Sequence, residues 1–304
     1  MTTSSDAPAA TGIAAETPVP VVGIGASAGG LDAIAELLSA LPATTGLAYL
    51  VVQHLAPERT SLLAEILSKR TSKPVVEANE GMRIMPDRVY VIPPSMLLSL
   101  DGDLLHLAAR SEGRQPSMSV DVLFQSLAHE RGHNAIGVVL SGSASDGARG
   151  LQAIKEAGGI TFAQDEASAV FSGMPNSAAA TGCVDFILPP REIAAQLARI
   201  GEHPYIRTPK GEGESEQAAV STPTDEAAFR KAFRLLRAVN GTDFTHYKRS
   251  TIERRFRRRM AVRHLEDLDG YVNLLQNNAP ELQALAQDLL ISVTSFFRDP
   301  EGLE

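Results

Sequence analysis

Hydrophobic and polar positions alternate along most of the chain in a regular way. From Pro20 onward, short apolar runs are followed by longer runs in which apolar residues recur every three to four positions. Uninterrupted Val/Ile/Leu runs are typical of strands buried on both faces of a sheet, and the amphipathic runs between them suit crossover helices. Such pairs extend from VVGIG with LDAIAELLSAL to CVDFILPP with REIAAQLARIG. The pattern predicts an α/β fold, a doubly wound parallel sheet with helices on both faces.

Three regions depart from this alternation. Two apolar segments flank Asp101-Gly102 in MLLSLDGDLLHL and predict a hairpin. A later stretch rich in Pro, Gly and Ser has no period and predicts an interdomain linker. Helical periodicity then continues to the end, with one helix ending near Asn240-Gly241, which predicts a small all-α domain. The predicted organisation is a mobile tail over 1–19, a sheet domain over 20–203, a linker over 204–224 and a helical domain over 225–304.

Composition narrows the classes of function. The 304 residues include one cysteine, Cys183, so an intramolecular disulfide and a multi-cysteine metal site are excluded, and no metal is expected. Neither a bilayer-length apolar run nor a secretion signal is present, so we expect a cytoplasmic protein without membrane insertion. The net charge of −8 divides into −9 over residues 1–221 and +1 over 222–304. The acidic first part is therefore not expected to bind nucleic acid.

The segment VVGIGASAGG contains two overlapping motifs. From Gly23 it matches G-x-G-x-x-A, a dinucleotide-binding loop, and from Gly25 it matches G-x-S-x-G, a strand-to-helix turn that would present Ser27 as a nucleophile. A purely structural glycine turn is the third interpretation. A dinucleotide site needs an acidic residue at the end of the next strand, but that strand ends in Gln53-His54. The missing acid weakens the dinucleotide interpretation.

Two further residues complete a possible catalytic set with Ser27. His54 lies at the carboxyl end of the second predicted strand, and Asp146 follows the strand in AIGVVLSGSASDGARG. Parallel sheets place functional groups at these strand ends, and an aspartate can orient a histidine that activates a serine. A structural histidine remains an alternative for His54. For Asp146 the alternative is an N-cap of the helix that starts near Ala148.

The segments around these residues resemble, in the same order, the catalytic domain of chemotaxis protein-glutamate methylesterases. The resemblance extends from about Pro20 to Gly201 through VVGIGASAGG, VVQHLAPERTSLLAEIL, EANEGMRIMPDRVYVIPP, QPSMSVDVLFQSLA and VVLSGSASDGARGLQAIKEAGG. It implies a doubly wound sheet and a catalytic triad of Ser27, His54 and Asp146. It also implies hydrolysis of γ-glutamyl methyl esters on chemoreceptor cytoplasmic helices, often with deamidation of receptor glutamines, and no cofactor for the esterase.

Three features depart from the family pattern. Ala28 replaces a threonine after the nucleophile, and Gly142-Ser143-Ala144 replaces a G-M-G loop. These changes put efficiency in doubt more than chemistry, and the backbone N–H groups near Ala28 and Ser143 are the expected oxyanion donors. The N-terminal tail is too short for the phospho-receiver domain that most members have. Phosphoaspartate control is therefore expected to be absent or supplied elsewhere.

The helical region contains a strongly basic segment. Between Lys248 and Arg263 there are eight Lys/Arg residues and one Glu. A solvated helix face, nucleic acid and an acidic protein partner are the three interpretations. Apolar Ile252, Phe256 and Met260 would keep one face for the core. With the ending LLISVTSFFRDPEGLE, this region resembles the N-terminal helical domain of chemotaxis receptor methyltransferases.

That second resemblance implies further roles. The basic helix would face the acidic methylation region of a receptor, and Arg298 would lie beside an S-adenosylmethionine site. The receptor-binding candidates are Arg254, Arg255, Arg257, Arg258 and Arg259. The domain that holds most of the methyl donor would begin after residue 304, so S-adenosylmethionine is expected only if the chain continues, and this chain alone should not methylate.

The sequence thus supports three hypotheses. The first is a serine esterase for receptor glutamyl methyl esters, fused to the start of a methyltransferase. The second is a non-catalytic receptor-binding or scaffold module that uses the basic helix. Nucleic-acid binding by that helix is a distant third hypothesis, and no nucleic-acid partner is expected. The segment lacks interleaved exposed aromatic residues of the kind that stack on bases, which counts against single-stranded RNA.

Overall fold

A computed structural model of the chain describes residues 18–53, 62–110, 118–208, 223–244 and 247–296. Side chains are described within these ranges from residue 225 in the fourth and up to residue 290 in the last. None of the helices within these ranges combines the length and the apolar composition needed to cross a membrane.

A seven-stranded parallel sheet forms the centre of the first domain. The strands of this domain are β1 Val21–Ala26, β2 Ala48–Gln53, β3 Val75–Glu77, β4 Val89–Val91, β5 Met96–Asp101, β6 Leu104–Ala109, β7 Ala135–Val139, β8 Ile160–Gln164 and β9 Phe186–Leu188. The order in the sheet is β3-β4-β2-β1-β7-β8-β9, and all of its pairings are parallel. β1 is entirely buried and pairs with β2 on one side and β7 on the other, so strand order reverses there. Ligand sites of open α/β sheets lie at such reversal points, outside the carboxyl ends of the strands.

Helices cover both faces of this sheet, which confirms the predicted doubly wound architecture. One apolar cluster joins the sheet to the helices Gly30–Ala40 and Pro190–Glu202, and the other joins it to the helices Ser119–Arg131 and Ala148–Glu156. The strands β5 and β6 form the predicted antiparallel hairpin around Asp101-Gly102. The helices are α1 Gly30–Ala40, α2 Leu63–Ser68, α3 Ser119–Arg131, α4 Ala148–Glu156, α5 Gly173–Ala180, α6 Pro190–Glu202 and α7 Pro204–Arg207.

Short elements are where the structure differs from the sequence pattern. Neither β3 nor α5 is predicted, because three residues are too few for a period and GMPNSAAA has no apolar stripe. The predicted linker also begins too early. Its first residues form α7, in which Ile206 is fully buried and the Tyr205 hydroxyl donates to the carbonyl of Gly158 at 2.7 Å.

The second domain contains helices and no strand within its described residues, as predicted. Its four helices are α8 Pro223–Asn240, α9 Arg249–Val262, α10 Leu268–Asn277 and α11 Ala279–Phe296. Helix α8 ends at Asn240 as expected, followed by Gly241 with φ 72°. Phe229, Phe256 and Tyr271 meet edge-on in the core, since the apolar face of α9 is turned inward.

Candidate active site

Ser27 lies in the tight turn between β1 and α1. Gly29 precedes the helix with φ 68°, and the Gly30 N–H donates to the carbonyl of Ser27 at 3.0 Å. A Cβ at Gly30 would lie only 2.5 Å from that of Ala26, so a larger residue would open the turn. The Ser27 N–H donates to the carbonyl of Ser141 at 2.9 Å, which ties the turn to the segment after β7. Ser27 is thereby held, half-buried, at the carboxyl end of the central strand.

Asp146 follows β7 and is almost completely buried. Its two carboxylate oxygens accept the backbone N–H groups of Val120 and Asp121, each at 2.9 Å. These groups belong to the first turn of α3, where N–H groups lack partners within the helix and the helix dipole favours an anion. The hypothesis that Asp146 caps the helix after it is wrong, because Gly147 occupies that position and Asp146 caps α3.

The structure describes the residue before His54, which is Gln53. Strand β2 ends at Gln53, which pairs in register with Ala26, the residue before Ser27. His54 is the next residue in the sequence and lies outside the described residues. Its place in a triad therefore stays a prediction. What the structure brings together at one edge are the ends of β2, β1 and β7, the three strands that precede the predicted triad residues.

Ser141 links the turn after β1 to the loop after β8, and this role was not predicted from the sequence. Its hydroxyl donates to the carbonyl of Ala28 at 2.9 Å and accepts from the N–H of Phe171 at 3.0 Å. Its backbone N–H donates to Oε1 of Gln164 at 2.9 Å, and its side chain is fully buried. Ser141 therefore positions the Ser27 turn against the loop after β8. No local sequence signal marks this role, because the partners of the Ser141 hydroxyl are 113 and 30 residues away in the sequence.

We expect Ser141→Ala to lower ester turnover and stability together. The change leaves the part-buried carbonyl of Ala28 and N–H of Phe171 without the shared hydroxyl, at a cost of about 1 kcal/mol. Thermal unfolding and steady-state kinetics on the same preparation measure both effects. Ser141→Thr keeps the hydroxyl and serves as the matched control. An Ala variant with unchanged turnover and unfolding temperature would contradict the positioning role.

The backbone around the turn restricts which N–H groups can stabilise an oxyanion. The Ser27 N–H is bonded to Ser141, and the Gly142 N–H donates to the carbonyl of Phe171 at 2.9 Å. Within the described part of the chain, the N–H groups of Ala28 and Ser143 have no acceptor. Both residues are those that the sequence nominated, and their role stays a prediction.

An exposed apolar pair, Val170 and Phe171, lies beside the turn and is called here the 170–171 patch. The two side chains are 68% and 46% exposed. A Cβ placed on Gly29 would lie 2.8 Å from Cβ of Val170 and 3.2 Å from Cδ2 of Phe171. The backbone of Phe171 is bonded on both sides, to the hydroxyl of Ser141 and the N–H of Gly142. The patch is therefore fixed relative to Ser27.

The basic helix α9 requires a correction. Arg255, Arg258 and Arg259 are buried and bond within the chain, so in this structure their guanidinium groups do not face a receptor. Arg257 is exposed and Arg254 is half-buried, and for these two a receptor contact stays a prediction. Helical periodicity could not separate the two groups, because the partners of the buried arginines come from distant parts of the sequence.

Two further expectations concern a methyl donor and metal ions. Arg298, predicted beside a methyl-donor site, lies outside the described residues. Across the described ranges, no cluster of three or more His, Cys, Asp or Glu side chains has an arrangement that could hold a metal ion.

Comparison with known families identifies the two domains of the chain. Residues 22–197, more than half of the chain, match the family model of the CheB methylesterase. The chain belongs to the CheB methylesterase family. Residues 227–290 match a second model, the all-alpha domain of the CheR methyltransferase. Both resemblances predicted from the sequence are confirmed.

Two known proteins are similar to large parts of this chain. A Rhodobacter capsulatus protein, described as an uncharacterized 104.1 kDa protein in the hypE 3' region, is 37% identical over 79% of this chain and 27% of its own length. A protein-glutamate methylesterase/protein-glutamine glutaminase of Burkholderia pseudomallei is 42% identical over 59% of this chain and 51% of its own length. The chain thus spans about half the length of that methylesterase relative.

A solved structure gives the same fold for the family domain. The catalytic domain of the Thermotoga maritima CheB methylesterase aligns with a TM-score of 0.55 and 29% sequence identity. The alignment covers 60% of this chain and 98% of the Thermotoga domain. The alignment therefore spans almost the whole of the Thermotoga catalytic domain.

Proposed function

We propose that the sheet domain is a serine esterase that hydrolyses γ-glutamyl methyl esters on chemoreceptor-like proteins. The observation that supports this most strongly is the convergence of three strand ends. Ser27 follows β1, Asp146 follows the neighbouring β7, and Gln53, the residue before His54, ends β2 on the other side of β1. Membership of the CheB methylesterase family points to the same chemistry.

In the proposed acylation step, Ser27 Oγ attacks the ester carbonyl while His54 removes the hydroxyl proton. Asp146 holds the imidazole and stabilises its cationic form. The proton from His54 then goes to the methoxy oxygen, the acyl–oxygen bond breaks and methanol leaves. The N–H groups of Ala28 and Ser143 bind the oxyanion, and the positive end of α1 adds to their field.

Deacylation repeats these roles with water. His54 removes a proton from water, the resulting hydroxide adds to the acyl carbon, and Ser27 leaves with the returned proton as the glutamate carboxylate forms. A glutamine side chain would enter the same cycle with ammonia as its leaving group, which gives deamidation as a second activity. These steps use side chains and backbone groups alone, without a cofactor.

Methanol release from a methylated receptor fragment tests the proposal. We expect steady release by the full chain at catalytic concentration, measured with the methyl groups isotopically labelled. Binding of the fragment without any release would contradict the esterase and would favour a non-catalytic receptor-binding or scaffold module.

We propose that the 170–171 patch receives apolar side chains of the substrate helix next to the esterified glutamate. It is apolar, exposed and fixed against the Ser27 turn, and an amphipathic helix offers apolar residues one turn from a glutamate. We expect Phe171→Ala to raise KM for a receptor fragment about five- to ten-fold, because the substrate helix would no longer bury the apolar surface of the Phe171 side chain when it binds.

Two comparisons make this prediction specific. Hydrolysis of a small activated ester, which does not reach the patch, should be nearly unchanged in Phe171→Ala. The control is Ile187→Ala, which removes another exposed apolar side chain, on the edge strand β9. An equal rise of KM in both variants would show that the patch has no special role.

The partner, the place of action and the methyl donor are proposed on the basis of the two family matches. The partner is the cytoplasmic helical region of a methyl-accepting receptor, and the site of action is the cytoplasm. Nucleic acid is not proposed as a partner. S-adenosylmethionine is proposed only for a longer chain in which Arg298 lies beside it.

A further inference from the structure

The two domains meet at the edge of the sheet opposite Ser27. Contacts from the helical domain reach Gly159, which precedes β8, and Asp185, which precedes β9. They also reach the last turn of α4, at Lys155 and Glu156. These positions mark the amino ends of the strands, whereas Ser27 and Asp146 follow carboxyl ends. The helical domain is therefore docked on the amino edge and leaves the proposed catalytic edge uncovered by its described residues.

Arginines of α9 make the central polar contacts of this interface. Arg255 donates to the carbonyls of Lys155 and Glu156 at 3.0 and 2.9 Å. Carbonyls in the last turn of a helix lack partners within the helix and carry its negative dipole end, so they suit a guanidinium. Arg258 donates to the carbonyl of Gly159 at 2.9 Å and to the carboxylate of Asp185. Both arginines are almost completely inaccessible to solvent.

Buried carboxylates from both domains surround these cations. Arg258 also pairs with Asp288 of α11, and Lys155 Nζ lies 3.1 Å from Asp185 and 3.2 Å from Asp288. Arg259 pairs with Glu281 of its own domain and lies 3.6 Å from Asp185. Burial alone would raise the pKa of Asp185, but Arg258, Lys155 and Arg259 lower it overall. The cluster therefore contains ionised groups from both domains that compensate one another.

Apolar and neutral contacts extend the interface beyond the ionic cluster. Ala261 and Val262 at the end of α9 belong to the same apolar cluster as Ile200 and Ile206 of the sheet domain. The adjoining residues add polar bonds. His264 Nε2 lies 2.6 Å from Oε1 of Gln196, and His203 Nε2 lies 3.1 Å from the carbonyl of Leu265.

Separation of the two domains would leave charged side chains without partners that water cannot fully replace. Arg258 and Arg255 would lose partners arranged around their planar donor groups, and Asp288 would lose the Lys155 ammonium. Burial, followed by the neighbouring Arg258 and Arg254, lowers the pKa of Arg255 to about 10, so the group is still charged at neutral pH while it is docked. Removing one partner from a buried charged network is strongly unfavourable.

We propose that the helical domain is a permanent partner of the esterase domain. In this account, α9 binds the amino edge of the sheet, and Arg255, Arg258 and Arg259 serve this contact instead of an acidic receptor. A receptor that approaches the helical domain would meet Arg257 and Arg254, while Ser27 stays accessible at the other edge. The amino edge is thus a docking surface for the helix that carries Arg255, Arg258 and Arg259.

Cleavage between the domains tests this proposal in the full chain. A recognition site for a sequence-specific protease is introduced within residues 209–222, and the chain is cut after purification. We expect the two pieces to co-elute in gel filtration at low micromolar concentration and in about 0.5 M NaCl, because buried pairs are screened little by salt. Separation of the wild-type pieces after the cut would overturn the proposal.

Two methionine variants on one helix give the matched comparison. Arg255→Met removes donors to carbonyls and leaves the buried pair of Arg258 with Asp185 intact, so the chain keeps its fold. We expect it to weaken association of the cut pieces at least about ten-fold. Arg257→Met, on the exposed side of α9, should leave association unchanged. Equal association of the Arg255→Met and wild-type pieces would overturn the role of α9, and equal weakening by Arg257→Met would overturn its specificity.

Discussion

Replacing Ser27 with alanine is expected to abolish methanol release from a methylated receptor fragment. Ser27 is the proposed nucleophile, and loss of a triad serine removes at least about 10⁴-fold of turnover. Folding should be little affected, because the bonds of Ser27 to Ser141 and Gly30 are made by its backbone. Initial rates of methanol release and circular dichroism on the same samples give both quantities.

A serine on the same helix provides the control. Ser39 lies at the far end of α1, where its hydroxyl donates to the carbonyl of Glu36 and is exposed. Ser39→Ala should release methanol at the wild-type rate. Release by Ser27→Ala at a rate similar to that of the wild type would remove the basis for a covalent mechanism.

The substitution Asp146→Asn is expected to lower turnover about 10³- to 10⁴-fold, because an amide cannot stabilise the imidazolium or fix its tautomer. It should also lower the free energy of unfolding by about 1–2 kcal/mol. The two carboxylate oxygens accept the N–H groups of Val120 and Asp121, and an asparagine offers only one acceptor for the pair. Kinetics and chemical denaturation separate the two effects.

Asp121 offers a matched control at the start of the same helix. Its carboxylate accepts the Gly150 N–H at 2.7 Å, and burial raises its pKa. Asp121→Asn should cost some stability yet keep turnover within a few-fold. If both variants lost turnover in proportion to stability, Asp146 would be a helix cap and not a triad member.

Much of the sheet domain could be predicted because buried strands and crossover helices leave strong periods in the sequence. The strand ends that precede Ser27 and Asp146 followed directly from those periods, and so did the hairpin around Asp101-Gly102. The periods could not predict which strands pair with each other in the sheet. That β1 lies between β2 and β7 depends on long-range contacts, and only these bring the strand ends together.

Roles that depend on tertiary contacts could not be predicted from the sequence. The positions of Arg255 and Arg258 on an amphipathic helix are compatible with a solvated face, and only Gly159 and Asp185 of the other domain explain their burial. Asp146 caps a helix that begins 27 residues before it, so no local cap signal could reveal the pair. The hydroxyl of Ser141 has the same character, since its partners Ala28 and Phe171 are distant in sequence.

The most direct test of the central claim is to modify the nucleophile of the intact chain. A phosphonylating reagent for activated serines is added in steps, the modified residue is located by peptide mass spectrometry, and methanol release is measured at each step. The account predicts modification at Ser27, with methanol release falling in proportion to the modified fraction. Undiminished methanol release from a chain fully modified at Ser27 would contradict it.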